Sequence, residues 1–456
     1  MVYVKYLMLT APKMKIIKSL LFVSLSAAAM PALSWSNHTV VSHTLLASMP
    51  AVQNAQQVKV ETIEAFLLAN ENKLEIFLAA QEISMRSSLW HYAPRPDALA
   101  FKFTGDATTI RKRFSQAIRI NPHLKIPLYL QLLPGDKREA VAIAPQDVTV
   151  FENYHYLEDV QLVQLSVGDM VAPVDVATSA NDEPDHGLDI GLFTDSNTDY
   201  GLEYGFGPQP FGNANLEYGT QAPFHMGFYH ESPVLYSLGA FLKQTYPEYR
   251  IQLFKQLSEF AFDNGHDYWG WRFMGWGMHY IGDFSNPYHI TPIPGNSTFD
   301  ILLPGLLGLA GFPKAQREAT QLVSNRHTVL EDFQSLVMTK ALVKGNHNHK
   351  TLKALHVPEN IREYKDSDVV GIFSQTSYEK AEHIDNVIDQ TMPAKFVSDP
   401  NVEYAELGVN TQLIDIVKEQ SGEQGYNSLI DTISDLLSDF SHNGASYVEG
   451  IINKKE

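Results

Sequence analysis

An apolar run at residues 268–278, YWGWRFMGWGM, constrains the fold of this chain more than any other segment. Its large apolar side chains predict a buried helix, although its three glycines lower the helix propensity. His279 and Asp283 follow four residues apart, so they share one helical face if the helix continues. Pro287 cannot continue a helix and predicts a bend just before it. His289 then lies on the turn beyond and can fold back toward the same face.

The spacing of these polar side chains is compatible with a metal site. An imidazole and a carboxylate one helical turn apart are good ligands for zinc. The simpler interpretation is a hydrogen-bonded pair that ties down the end of the helix. A second pair with the same spacing, His327 and Glu331, lies in another predicted helix. Because such pairs are common on solvated helix faces, spacing alone leaves both interpretations open.

Other residues with metal-binding side chains are candidates for the same site. The candidates are His225, Asp185 and His38, with His230 and His43 as competing choices. Three further histidines lie in a polar stretch and are predicted to be at the surface, namely His347, His349 and His356. The absence of cysteine excludes disulfides, thiolate zinc sites and a cysteine nucleophile. Any metal must therefore be held by His, Asp, Glu or backbone groups.

Composition limits the partners that the chain can have. Its 456 residues are long for one domain and short for three, and 44% hydrophobic residues can form a sizeable core. The formal net charge of −18 argues against tight binding to a polyanion, because phosphate contacts need Lys and Arg. The composition fits an acidic, soluble, exported protein, and no nucleic-acid partner is expected.

The N-terminus has the pattern of an export signal. Two lysines precede an apolar stretch over 20–30, which is too short to span a membrane, and small residues precede a cut after Ser34. We therefore predict that residues 1–34 are a signal peptide, with Met14 as an alternative start; an uncleaved anchor is the other interpretation. The mature protein would begin at Trp35 and be secreted, into the periplasm or out of the cell, with no stable transmembrane insertion.

Hydrophobic periodicity predicts a mainly α-helical chain. Helices are predicted at about 39–49, 58–84, 233–279, 313–343 and 426–452. Residues 96–175 have shorter runs with Pro and Gly breaks, which predicts an inserted region that is partly irregular or β-containing. Residues 181–223 are predicted to be a long loop whose glycines make turns rather than a phosphate-binding loop. Residues 345–410 are mixed, and we assign 35–456 to a single domain.

The motif after the apolar run resembles that of a known enzyme family. MHYIGDFSNPYH, residues 278–289, fits the pattern H-Y-[LIF]-G-D-x-x-x-P-x-H. That pattern is shared by the zinc-dependent phospholipase C family, which includes the single-strand-specific zinc nucleases. The close resemblance covers about 220–335, and weaker matches lie at both ends of the chain. The further matches are Trp35 at the predicted cut, His38, Asp185 after a proline, His225, His327 with Glu331 and Phe333, and the last helix.

The resemblance implies an all-helical fold with three zinc ions. The implied ligand groups are Asp185, His225 and His279; Asp283, His38 and Trp35; and His289, His327 and Glu331. Asp283 would bridge the first two ions, and Trp35 would contribute its backbone amine and carbonyl. Because only signal cleavage frees that amine, export would complete the site.

The chain also departs from the family pattern. Two spacings between implied ligands are longer than in compact members, those from Asp185 to His225 and from His289 to His327. The insertion has no counterpart; it is a surface embellishment, a lid over the site or an aid to interface binding. Trp35 and His38 are close in sequence, which makes His43 the alternative if they cannot share one ion.

Clustered zinc suits hydrolysis of phosphodiesters. The resemblance makes Asp185 the general base that polarises the attacking water. With a phospholipid such as phosphatidylcholine at a membrane or micelle surface, the products would be diacylglycerol and a phosphorylated headgroup. The acidic charge and the lack of cysteine favour this activity over a nuclease. The alternatives are a zinc nuclease or another phosphodiesterase, and a non-catalytic secreted metal-binding protein.

Overall fold

A computed structural model describes residues 37–212, 218–295 and 313–453. The prediction of a mainly α fold is confirmed, since 61% of the structure is helical and 3% is strand. The long helices are α1 His38–Ser48, α2 Ile63–Ser88, α3 Ile110–Ile118, α4 Pro173–Asn181, α5 Pro247–Asp263, α6 Asp267–Ser285, α7 Pro313–Val343, α8 Gln375–Thr391 and α9 Leu413–Ile452. The predicted signal peptide, residues 1–34, and Trp35 lie outside the described residues.

Many shorter helical segments connect these helices. They are Pro50–Gln53, Asp97–Leu99, Pro145–Asp147, His155–Leu157, Glu183–His186, Asp199–Glu203, Tyr218–Gln221, Ala222–His225, Pro233–Leu238, Ala240–Lys243, Pro287–His289, Lys350–Ala354, Val369–Ser374, Ala394–Val397, Tyr404–Leu407 and Asn410–Gln412. None of the helices in the described ranges is both long and apolar enough to cross a membrane.

Four short strands form two antiparallel pairs. The strands are β1 Val58–Lys59, paired with β4 Met170–Val171, and β2 Tyr129–Gln131, paired with β3 Leu162–Gln164. Three of them lie in the region 96–175, which therefore contains the strand and irregular structure that its sequence predicts. That region also contains α3, whose Phe114 is buried in the main core together with Phe101 and Leu124. These contacts make the inserted region part of the core rather than a surface embellishment.

The predicted buried helix is α6, and it lies at the centre of the structure. Every residue from Tyr268 to Ser285 is buried. It packs against α4, α5 and α9. A Cβ at Gly275 would overlap the carbonyl oxygen of Ala177 in α4, and one at Gly277 would overlap the hydroxyl of Tyr447 in α9. These glycines lower helix propensity but let neighbouring elements pack closely against α6.

The end of α6 is where the proline predicts it. The helix stops at Ser285, and Asn286 accepts a hydrogen bond from the amide of Tyr288 at 3.1 Å. Pro287 then begins a single 3₁₀ turn that ends at His289. This turn places His289 beside His225 and His327 rather than further along the helix axis.

The predicted helix at 58–84 begins later than its periodicity indicates. Thr62 is the N-cap of α2, because its side chain accepts a hydrogen bond from the amide of Ala65 at 3.2 Å. The helix therefore begins at Ile63, and the residues before it form β1. Val58 and Val60 are buried although they are not helical. Their apolar spacing therefore suggested a helix that the N-cap at Thr62 starts only later.

Two other predictions are incomplete. The predicted helix at 426–452 is present, but α9 extends back to Leu413 across a kink at Gly422, where φ is +68° and the backbone is non-helical. The helical segment before this kink was not predicted. The predicted loop at 181–223 is not simply a loop, because it contains short helices. Its segment from Glu183 to Phe193 is also buried.

Candidate metal centre

Eight of the predicted metal ligands lie in three buried groups. The groups are His38, Asp185 and His279; His225, His279 and Asp283; and His289, His327 and Glu331. In each group, one ligand atom per residue lies within 4.8 Å of the others. None of the eight residues is more than 5% exposed. Nitrogen and carboxylate oxygen atoms therefore converge away from water, and these groups can hold metal ions.

His38 reaches the centre from the start of α1. Asn37 caps this helix by accepting a hydrogen bond from the amide of Val40 at 3.1 Å, which makes His38 the first helical residue. A Cβ at Gly282 would lie 2.9 Å from Nδ1 of His38. The glycine therefore leaves room for the imidazole beside α6.

Asp283 lies between the histidines of the first two groups. Its Oδ2 is 3.1 Å from Nδ1 of His225 and 3.7 Å from Nε2 of His279. Its Oδ1 is 3.6 Å from Nε2 of His38. Within the described residues, neither oxygen accepts a hydrogen bond. Because a buried carboxylate without donors is costly, this position fits a ligand shared by two cations.

Asp185 approaches the same histidines from a short 3₁₀ turn. Its Oδ1 is 3.7 Å from Nε2 of His279 and 3.9 Å from Nδ1 of His225. Its Oδ2 is 3.9 Å from Nε2 of His38. Gln221 donates a hydrogen bond to Oδ1 at 3.3 Å. Both this carboxylate and that of Asp283 thus direct one oxygen to each side of the centre, as bridging ligands do.

The third group is the most compact. Nε2 of His327 lies 2.6 Å from Oε1 of Glu331 and 2.9 Å from Nε2 of His289. The distance from Nε2 of His289 to Oε1 of Glu331 is 3.4 Å. Asn286 donates to that same oxygen at 2.8 Å. Two imidazoles and one carboxylate match a zinc site that keeps a fourth position open.

Backbone carbonyls orient two of the imidazoles. Nδ1 of His279 lies 2.8 Å from the carbonyl oxygen of Asn181, and Nδ1 of His289 lies 2.9 Å from that of His225. When one ring nitrogen carries the proton and donates a hydrogen bond in this way, the other ring nitrogen is unprotonated and free to bind a metal. The Asn181 side chain also donates to the carbonyl of His38 at 3.2 Å. Residue spacing carries no signal for such backbone partners.

Burial sets the protonation states of the centre. It raises the pKa of Asp283 and that of Asp185 well above the usual range, and neighbouring carboxylates raise both further. It lowers the pKa of His225 and that of His279 well below the usual range, and the pKa of His327 to about 3. His225, His279 and His327 are therefore neutral at pH 7, which is the form that binds metals.

The competing histidines lie elsewhere. His43 lines a separate cavity of about 180 Å³ together with Gln131 and Asp175. His230 forms a hydrogen bond with Ser374 at 2.8 Å. His347 and His356 are exposed and His349 is partly exposed. The structure brings His38 and His225 to the centre instead of His43 and His230.

One buried carboxylate beside the centre is not among the predicted ligands. Oδ2 of Asp189 lies 3.6 Å from Nε2 of His225, and Asp189 is fully buried. It lies in the segment predicted to be a loop, and its ion-pair partner Arg250 is 61 positions away in sequence. No helical spacing to a histidine marks Asp189. The one signal in the sequence is that it lies four residues after Asp185, which is a predicted ligand.

Comparison with known proteins assigns no family to the chain. Protein-family models, curated proteins and solved structures were each searched, and none of them matches. A functional proposal therefore depends on the geometry of the centre and on the sequence motif that supplies its ligands.

Proposed function

We propose that this chain is a secreted zinc-dependent phospholipase C, which hydrolyses phospholipids such as phosphatidylcholine to diacylglycerol and a phosphorylated headgroup. The observation that carries the proposal is the convergence of eight buried His, Asp and Glu residues into three ligand groups. The resemblance of residues 278–289 to the motif of the zinc-dependent phospholipase C family supports it.

The donors present fit zinc. Zinc accepts imidazole nitrogen and carboxylate oxygen, and the centre offers only these side-chain donors. Asp283 provides the clearest test of fit, because its two buried oxygens lack hydrogen-bond donors in the described part of the chain. Asp185, His225 and His279 would hold one ion, His38 a second, and Asp283 both. His289, His327 and Glu331 would hold a third (the ligand set named above), and Trp35 would complete the second.

Each group has a defined part in the proposed hydrolysis. Bound zinc would neutralise phosphoryl oxygens, lower the pKa of a nearby water and stabilise the leaving oxygen. Asp185 is the proposed general base, which accepts the proton of the water that attacks phosphorus. The Gln221 amide, which donates to Oδ1 of Asp185, would hold that carboxylate in place. Glu331 is held in the same way by Asn286.

The charge of the chain favours a lipid over a nucleic acid as substrate. A nuclease must attract a polyanion, and the formal net charge of −18 opposes that attraction. A zwitterionic lipid makes no such demand. We therefore place phospholipid first and retain single-stranded nucleic acid as the alternative substrate to test.

The test uses purified protein beginning at Trp35. Release of phosphocholine from phosphatidylcholine micelles is measured with chelator, without chelator and after zinc is added back, beside single-stranded DNA. We expect chelator-sensitive lipid cleavage and intact DNA. Asp283→Asn should remove the activity, and Asp147→Asn, at an exposed position, should keep it.

Two results would contradict the phospholipase proposal. Cleavage of DNA with intact lipid would assign the centre to a nuclease. Activity on neither substrate, with zinc retained, would favour a non-catalytic metal-binding protein.

A further inference from the structure

His225 faces the metal centre with a different ring nitrogen from its neighbours. Its Nδ1 lies 3.1 Å from Oδ2 of Asp283 and 3.1 Å from Nε2 of His279. His279 and His38 face the two aspartates with Nε2. The Nδ1 of a neutral imidazole can bind a cation only when its proton is on Nε2. The centre therefore needs a group that keeps the proton of His225 on Nε2.

Asp189 lies on that side of the ring. Its Oδ2 is 3.6 Å from Nε2 of His225, and the two residues are 0% and 2% exposed. Across the described residues, Nε2 has no hydrogen-bond partner, and this carboxylate lies close enough to become its acceptor. A small rotation of the imidazole would shorten the contact to a hydrogen bond when a ligand engages Nδ1.

The carboxylate of Asp189 is firmly held for this purpose. Its Oδ1 accepts hydrogen bonds from Nε and Nη2 of Arg250 at 2.9 and 2.5 Å, and its Oδ2 accepts one from the hydroxyl of Tyr280 at 2.6 Å. Arg250 also donates to the carbonyl oxygens of Ile118 and Arg119. Because both contacts from Arg250 use Oδ1, Oδ2 keeps an acceptor position directed at the imidazole.

We infer that Asp189 is a positioning residue that holds the proton of His225 on Nε2 and so presents Nδ1 of that imidazole to the metal. This inference deepens the proposed function and rests on it. Carboxylates that accept a proton from a metal-binding imidazole fix its tautomer and its orientation. Asp189 acts through His225 and contacts neither metal nor substrate.

Glu183 offers a matched control for the loss of a buried carboxylate. It accepts hydrogen bonds from Arg272 at 2.7 and 3.0 Å and from the indole of Trp276 at 2.5 Å. Like Asp189, it is therefore a buried acid paired with an arginine and an aromatic donor. In the described part of the chain, Glu183 pairs with Arg272 and Trp276 and with none of the histidines of the centre.

The test substitutes Asp189→Asn and Glu183→Gln and reads the tautomer of His225 by ¹⁵N NMR in metal-free protein. In Asp189→Asn, Arg250 retains the amide oxygen, so the NH₂ group faces His225 and donates to Nε2. We expect the proton on Nε2 in the unchanged protein and in Glu183→Gln, and on Nδ1 in Asp189→Asn. Zinc affinity at this group should fall by about ten- to a hundredfold in Asp189→Asn alone.

Three results would overturn the inference. They are a proton on Nδ1 in the unchanged metal-free protein, a tautomer that Asp189→Asn leaves unaltered, and an equal loss of zinc affinity in Glu183→Gln. The first needs no variant, so the inference stays testable if Asp189→Asn does not fold. Because the tautomer is read without metal or substrate, its outcome is independent of whether the protein cleaves phospholipid.

Discussion

At the residue scale, the buried carboxylate of Asp283 destabilises the metal-free protein and lies where it could bind metal. Its carboxylate is fully buried, receives no hydrogen bond within the described ranges and lies among three imidazoles. Burial and neighbouring carboxylates raise its pKa well above the usual range, so the ionised form is disfavoured without a cation. Such a residue lowers the stability of the metal-free protein and is explained by what it binds.

Asp283→Asn should therefore stabilise the metal-free protein while it weakens zinc binding. Because the pKa of Asp283 is raised in the folded state, the folded protein keeps a proton that the unfolded chain releases, so stability falls as pH rises from the unfolded-state pKa towards the raised one; asparagine removes this loss at pH 8. We expect a gain of about 1 kcal/mol in the free energy of unfolding with chelator present. Urea denaturation with chelator measures this gain, and zinc titration measures the lost sites. A loss of stability without metal would contradict this account of the residue.

The affinity of the centre for zinc should rise with pH. Zinc must displace the protons that burial holds on Asp185 and Asp283, so apparent affinity falls as pH falls below their raised pKa values. Protons compete with zinc for His327 only at much lower pH, because burial lowers the pKa of His327 to about 3. Each proton displaced should change affinity by up to about tenfold per pH unit. Zinc competition titrations from pH 6 to 8 measure the slope, and a flat profile would contradict the prediction.

The sequence predicts the metal-binding side chains better than it predicts the residues that orient them. Helical spacing indicates that His279 lies beside Asp283 and that His327 lies beside Glu331, since one turn of a helix sets that geometry. Asp185 has no local spacing to any histidine of the centre, so only the motif resemblance suggests it. Asp189 stays hidden because its partners come from distant parts of the chain and the fold alone brings them together.

At the element scale, α6 shows how helix packing outweighs helix propensity. Gly275 lies where α6 crosses α4, and a Cβ there would overlap the carbonyl oxygen of Ala177 and the Cβ of Ala180. A backbone oxygen cannot rotate away as a flexible side chain can. The glycines that weaken the sequence-based prediction of α6 are thus required by its neighbours.

Gly275→Ala should destabilise the protein although alanine is the better helix former. Overpacking costs about 1–3 kcal/mol, whereas the gain in helix propensity is about 1 kcal/mol. Gly371→Ala is the control, because a Cβ at Gly371 would have no neighbour within 4 Å. Chemical denaturation of both variants measures the difference. Equal stability changes would show that α6 and α4 are less closely packed than described.

Element boundaries follow local signals that periodicity does not contain. Thr62 begins α2 by capping it, and Pro287 ends the helical path of α6. The proline was predictable from the chain because its effect is local. The helical segment of α9 before the kink at Gly422 was not, because it is rich in polar residues and buries only Leu413 and Val417.

At the scale of the whole molecule, the region 96–175 joins the metal centre to the core. The amide of Asn121 donates to the carbonyl of Leu188 at 2.8 Å, and that of Val150 donates to the carbonyl of His186 at 3.1 Å. These bonds hold the segment that carries Asp185. The region also contributes buried apolar side chains to the main core.

The chain should therefore unfold as one cooperative unit. Because one main core contains side chains from both the region 96–175 and the long helices, neither should be stable without the other. Differential scanning calorimetry of metal-free protein should show a single transition, which is the outcome that our single-domain assignment predicts. Two separate transitions would show that the region folds by itself and would contradict that assignment.

The most direct test of a zinc centre is the metal content of the protein that begins at Trp35. After equilibration with zinc and removal of the unbound metal, elemental analysis should find about three zinc ions per chain, matching the three ligand groups. Asp283→Asn should lower that number to about one, because Asp283 would hold both of the first two ions, whereas the group of His289, His327 and Glu331 does not include it. Retention of no zinc by the unchanged protein would contradict the account.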